Sequence, residues 1–133
     1  MDTLTDKEII EKIKTTKDAC MELRIPVQKI ALNNTVSDIA NSVNAFYQLC
    51  IITRALNQNW IPDINDWRQP KWYNWFYIDS SGAFSGLSSS SAYYSPAVTS
   101  AAIGARLCFK SKELAIYARE QFLSLHEQYL LIK

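Results

Sequence analysis

Residues 60–79 read WIPDINDWRQPKWYNWFYID, and the last nine of them, KWYNWFYID at 71–79, decide the fold. All four tryptophans of the chain lie in the first sixteen residues of this stretch. From Lys71 the pattern has period two and is aromatic, which suits a half-buried pleated strand. A strand places Trp72, Asn74, Phe76 and Ile78 on one face, and Lys71, Tyr73, Trp75, Tyr77 and Asp79 on the other. The first face is the more apolar, so it is expected to meet the core. The second then carries an aromatic row, Tyr73, Trp75 and Tyr77, between a lysine and an aspartate.

Downstream, SSG at 80–82 reads as a turn and AFSGLS at 83–88 as a second strand. SSSSAYYSPAVTSAA, 88–102, is low in complexity and reads as a loop or an irregular strand tip. IGARLCF, 103–109, alternates again and reads as a third strand. Ser111 is placed to cap a last helix, with Glu113 in its first turn, where a negative charge suits the helix dipole. Leu114, Ala118, Phe122, Leu125, Tyr129 and Ile132 form its apolar stripe.

Upstream, Thr5 and Glu8 have capping-box spacing ahead of Ile9, Ile10 and Ile13. Thr16 is placed to cap a short segment with Ala19, Cys20 and Leu23, which ends before Pro26. One helix or two fits this region. Residues 35–58 are the strongest helical segment: Val36, Ile39, Ala40, Val43, Phe46, Tyr47 and Cys50 recur at spacings of three and four. Its second half adds further apolar residues, so it is expected to be a central helix with neighbours on both flanks. The fold class expected is α+β: N-terminal helices, a three-stranded antiparallel meander, and a C-terminal helix on the sheet. The 133 residues suit a single domain, helical over 1–58 and meander plus helix over 59–133.

Composition narrows the function classes. Fourteen basic and thirteen acidic side chains leave a net charge of +1, no signature of nucleic acid or anionic membrane as partner. No apolar run approaches the roughly 20 residues of a membrane helix, and the polar start MDTLTDKEII is no signal peptide. Cys20, Cys50 and Cys108 are odd in number, form no CxxC pair and sit among apolar neighbours, so reduced, packed thiols in an intracellular setting are expected. Of these, Cys108 stands between Arg106 and Lys110, the nearest the chain comes to an activated thiol.

Catalytic motifs are scarce. His126 is the sole histidine, and it reads as a solvated helix residue. Three glycines cannot supply a dinucleotide or phosphate loop. Asp63, Asn65 and Asp66 begin like a calcium loop, but Arg68 stands where its glycine belongs and Asn74 where its glutamate belongs. Turn chemistry explains D-I-N-D better. Asp63 and Asp66 as an acid–base pair rank last. No cofactor or metal and no enzymatic activity are expected.

Two stretches, ALNQNWIPDINDWRQPKWYNWF at 55–76 and ARLCFKSKELAIYAREQF at 105–122, together resemble small proteins of unassigned activity carried by phages, prophages and mobile elements of gut Bacteroidales. The likeness spans roughly Ala55 to Leu125. It departs where the family pattern W-x-P-D-W would put a tryptophan after Asp63: here Ile64 follows, and Trp67 comes three residues later. The resemblance implies a phage-like origin, in the host cytoplasm or in a virion, and no more. F-K-S-K-E-L-A has its own structural account as strand end, cap and first helical turn.

The function expected from the sequence is a non-catalytic protein-interaction module, binding a protein partner or itself, with no membrane role. The alternative is a single-stranded nucleic-acid binder, its bases stacking on Tyr73, Trp75 and Tyr77 and its phosphates met by Arg68, Lys71 and Arg106. Trp60 and Trp67 are expected to pin the proline-bracketed loop to the core.

Overall fold

A computed structural model describes residues 3–28, 36–63, 65–66, 68–79, 86–95 and 104–131, with the backbone alone at 77–79 and 86–95. The described chain is mainly helical. It contains α1 (Asp6–Lys12), α2 (Thr16–Leu23), α3 (Ser37–Leu56), β1 (Lys71–Asp79), β2 (Gly86–Ser95), α4 (Lys112–Gln121) and α5 (Leu123–Leu130).

The expected three-stranded meander is absent among these residues. β1 pairs with β2 alone, antiparallel, with a register slip between Tyr77 and Ile78. β2 is not AFSGLS. It starts at Gly86 and takes in the serine run, so that a serine stands opposite each of Trp75, Phe76 and Tyr77. The alternation in IGARLCF was misleading. Ala105–Leu107 is a 3-10 turn entered through Gly104 at φ 77°, and Phe109 meets the hairpin through a two-hydrogen-bond bridge to Trp72. The segment leaves the hairpin on both sides of that bridge, from the 3-10 turn before it to the α4 cap at Ser111 after it, so no third strand extends; Asn57, at the C-cap of α3, holds the opposite edge of Phe109. Its Nδ2 donates to the Cys108 carbonyl at 2.8 Å, and its Oδ1 accepts from Lys110 N at 3.1 Å. One buried side chain thus satisfies the two backbone groups flanking Phe109 that point away from Trp72.

The N-terminal region forms two helices, each opened by a capping box. Thr5 and Glu8 exchange side-chain-to-backbone bonds at 3.2 and 3.1 Å. Thr15, one residue before the expected cap, does the same with Asp18 at 3.1 Å both ways. α2 stops at Arg24, which adopts the left-handed conformation at φ 57° two residues before Pro26. Ser111 caps α4 by accepting from Leu114 N at 3.3 Å, as its position in the sequence predicts. The expected single C-terminal helix is broken at Phe122, whose φ of −114° closes α4 and opens α5.

The C-terminal half of α3 is the centre of the core. Leu49, Ile52, Ala55 and Leu56 pack with Ile9 and Ile13 after α1, Cys20 of α2, and Leu114, Ala115 and Ala118 of α4. Distant segments are tied by polar bonds. Ser111 donates to Asp6 Oδ2 at 2.6 Å, Gln121 Nε2 to the Lys14 carbonyl at 3.0 Å, and the Tyr117 hydroxyl to the Ile13 carbonyl. Gln58 brackets Leu4 with bonds of 2.8 Å to both its N–H and its carbonyl.

Candidate functional site

The strand faces divide as the alternation predicts: Asn74 is buried, and Trp72 packs on the core. On the other face Tyr73 is half-buried and Trp75 is 38% exposed, while the side chain of Tyr77 lies outside the described residues. The row is therefore partly wet at Trp75. The predicted cations are not brought together. Arg68 is exposed on the loop, where its N–H bonds Asp66 Oδ1 at 2.9 Å. Lys71 is fully buried, and its Nζ donates to the carbonyls of Asp66 and Gln69 at 2.9 and 3.1 Å. Lys71 is an interior tie of the loop and presents no charge to a phosphate. Arg106 is exposed on the 3-10 turn, beside α3.

Asp63 and Asp66 make Asx turns, accepting from Asn65 N and Arg68 N at 2.9 Å each. Trp60 is half-buried, and Trp67 lies outside the described residues. Among the described residues no group of acidic, histidine or cysteine side chains could hold a metal. Burial pushes the Cys108 thiol up to about 11, against a smaller opposing effect of Lys71, so Cys108 is a packed thiol. No described helix is long and apolar enough to cross a membrane.

A more continuous surface runs along α3. Positions 36, 40, 43, 47, 50 and 54 alternate steps of four and three, the spacing of a helix seam. The second half of α3 is buried on its other sides, as expected, but its first half is not. Val36 is 63% exposed, Ile39 53% and Val43 38%. The seam then enters a groove of about 370 Å³, walled by Leu23, Ile25, Tyr47, Cys50, Arg54 and Arg106. Burial raises the Cys50 thiol, and the charges of Arg106 and Arg54 oppose it, which places both guanidinium groups at this end. Neither arginine forms an ion pair among the described residues. The period of α3 was visible in the sequence, but its exposure was not, because an apolar stripe looks the same buried or bare.

His126 corrects the sequence reading. It is 7% exposed, not solvated, and its ring lies 5.0 Å from that of Phe76. Its Nδ1 is 2.9 Å from the Phe122 carbonyl, which can only accept, so Nδ1 carries the ring proton and Nε2 the lone pair. Burial lowers its pKa from 6.5, with the Phe122 carbonyl opposing. The unfolded chain then takes up the proton first as pH falls. Stability is full above about 6.5 and declines below it at up to about 1.4 kcal/mol per pH unit, until the folded histidine also protonates. Urea titrations at pH 7.5 and 5.5 are expected to show this loss, and a His126→Gln variant a smaller one. Equal losses in both proteins would remove His126 as the cause.

No protein-family model matches the sequence, and neither the curated proteins nor the solved structures give a match.

Proposed function

We propose that the chain is a non-catalytic protein-interaction module that docks an amphipathic helix along α3. The observation that carries this reading is the exposure of Val36, Ile39 and Val43 on the first half of α3, whose stripe runs on through half-buried Tyr47 and Cys50 into the groove at Arg54 and Arg106. Bare apolar stripes of this length mark contact surfaces. Anchors at i, i+3 or i+4, and i+7 are the means by which helices are gripped in grooves. The unpaired arginines call for a carboxylate at one end of the partner, which sets its direction on the seam. An origin in a phage or mobile element belongs to the same proposal and rests on the sequence resemblance. Burial of Lys71 leaves the single-stranded nucleic-acid reading without one of its three cations.

Designed helical peptides with leucine at seam positions and either glutamates or lysines at one end test the reading by fluorescence anisotropy. The glutamate peptide is expected to bind. Ile39→Glu should weaken it about tenfold or more, about 1.4 kcal/mol, and Arg54→Glu with Arg106→Glu should shift preference to the lysine peptide. Sedimentation of the protein alone shows whether a second copy takes the same place. Indifference to all these substitutions would sink the proposal. Binding of oligo-dT with a steep loss at high salt would move the reading to nucleic acid.

A further inference from the structure

The way α3 ends builds a second hollow beside the groove. The N–H of Asn59 donates to the Arg54 carbonyl at 3.1 Å and that of Gln58 to the Ala55 carbonyl at 3.0 Å, the two bonds of a Schellman motif. Gln58 (φ 51°) and Asn59 (φ 66°) both take the left-handed conformation, which residues other than glycine seldom adopt. Two such residues in a row turn the chain, and Trp60, Ile61 and Pro62 after them wall a cleft of about 200 Å³. Arg54 at the end of α3 and Arg106 of the 3-10 turn wall it too. The same two arginines wall the groove beside Cys50, so they stand where the two hollows meet.

The polar groups of the cleft fall into two sets. Thr53 donates to the Leu49 carbonyl at 2.7 Å, Cys108 Sγ to the Gly104 carbonyl at 3.4 Å, and both ends of the Asn57 amide are held by backbone. These three are buried and committed within the fold. Arg54 and Arg106 are exposed, and among the described residues neither guanidinium makes a hydrogen bond or an ion pair. No described acidic residue lines either hollow. Two like charges set close together repel, and an anion between them offsets that repulsion. A guanidinium is a planar fork of donors that meets a carboxylate with two parallel bonds. Trp60 and Pro62 add apolar area to the same wall, and a flat ring covers such area well. At about 10–15 Å³ for each water-sized position, the cleft has room for a ring and its acid group. We propose that it binds a small aromatic carboxylate, the acid group held by Arg54 and Arg106 and the ring lying against Trp60 and Pro62. The cleft shares its arginines with the α3 proposal but does not rest on it, since it can fill with no helix on the seam.

Benzoate, benzamide and acetate make the test. Benzamide keeps the shape of benzoate without its charge, and acetate keeps the charge without the ring. Each is titrated at neutral pH and constant ionic strength into the ¹⁵N-labelled protein, following the Trp60 indole N–H and the Nε–H signals of Arg54 and Arg106. Benzoate is expected to shift these signals saturably and to bind at least about fivefold more tightly than either of the others. Arg106→Gln, a change at an exposed side chain, should bring benzoate down to the level of benzamide. No saturable shift from benzoate, or binding no tighter than that of benzamide or of acetate, overturns the proposal. So does full binding of benzoate by Arg106→Gln. None of these outcomes touches the peptide titrations, so the two proposals fail separately.

Discussion

Asn57→Ala is expected to lower the free energy of unfolding by about 3 kcal/mol. Asn57 is 3% exposed, and both ends of its amide are bonded to backbone, Nδ2 to the Cys108 carbonyl and Oδ1 to Lys110 N. Truncation removes two hydrogen bonds and leaves the partner groups short of theirs in a packed region. Each uncompensated buried group costs about 1–3 kcal/mol, more than the net gain of an ordinary hydrogen bond. Lys110 is half-buried, so water recovers part of that side, which sets the figure in the lower half of the combined range. Asn57→Asp keeps the acceptor for Lys110 N and loses the donor to Cys108, so it should also destabilise. Urea unfolding with an unchanged slope is the measure. A loss below about 1 kcal/mol for Asn57→Ala would mean that the Cys108 carbonyl and Lys110 N–H find other partners without the amide.

The second large effect is at Lys71, where the two halves of the side chain act in opposite directions. Lys71→Ala is expected to cost about 2–3 kcal/mol. Three methylenes leave a fully buried position at about 0.8 kcal/mol each, and the space collapses only in part. The ammonium is different. Its bonds to the Asp66 and Gln69 carbonyls are charge-assisted, but its removal from water opposes them. Lys71→Met, which keeps the stem and drops the charge, is therefore expected within about 1 kcal/mol of the parent protein. Amide exchange in the loop before β1 should nevertheless quicken, because the loop loses its interior tie. If Lys71→Met cost as much as Lys71→Ala, the charge and not the stem would be what matters at this site.

Lys71 also shows where sequence reading stops. Alternation placed it on the wetter face with Tyr73 and Trp75, yet it is fully buried. Whether a side chain at a strand's first residue meets water depends on what the preceding loop does, and here loop carbonyls close over it. The caps were legible because they are local: Thr5, Glu8, Ser111 and the Asx turns of Asp63 and Asp66 need only neighbours within a few residues. The missing third strand was not legible, because the 3-10 turn at Ala105–Leu107 carries the same alternation that a strand would. The break at Phe122 was hidden by an apolar stripe that continues across it. For the candidate site, Arg106 could be singled out as a surface cation. Its pairing with Arg54 at the end of the α3 seam required the 3-10 turn that the sequence disguises as a strand.

The ties between the two ends of the chain bear on how the protein is made. Asp6 is held by Ser111, Lys14 by Gln121 and Ile13 by Tyr117, separations of 105, 107 and 104 residues. Contacts this distant in sequence close the largest loops and form late. On the ribosome, the first helix emerges with its capping box ready but with no α4 to dock on. Ile9 and Ile13, both fully buried in the finished fold, can meet α3 early but are not covered on the α4 side until nearly the whole chain has been translated. Nascent chains stalled before Ser111 should hold that segment open to protease, and chains released beyond Gln121 should close it.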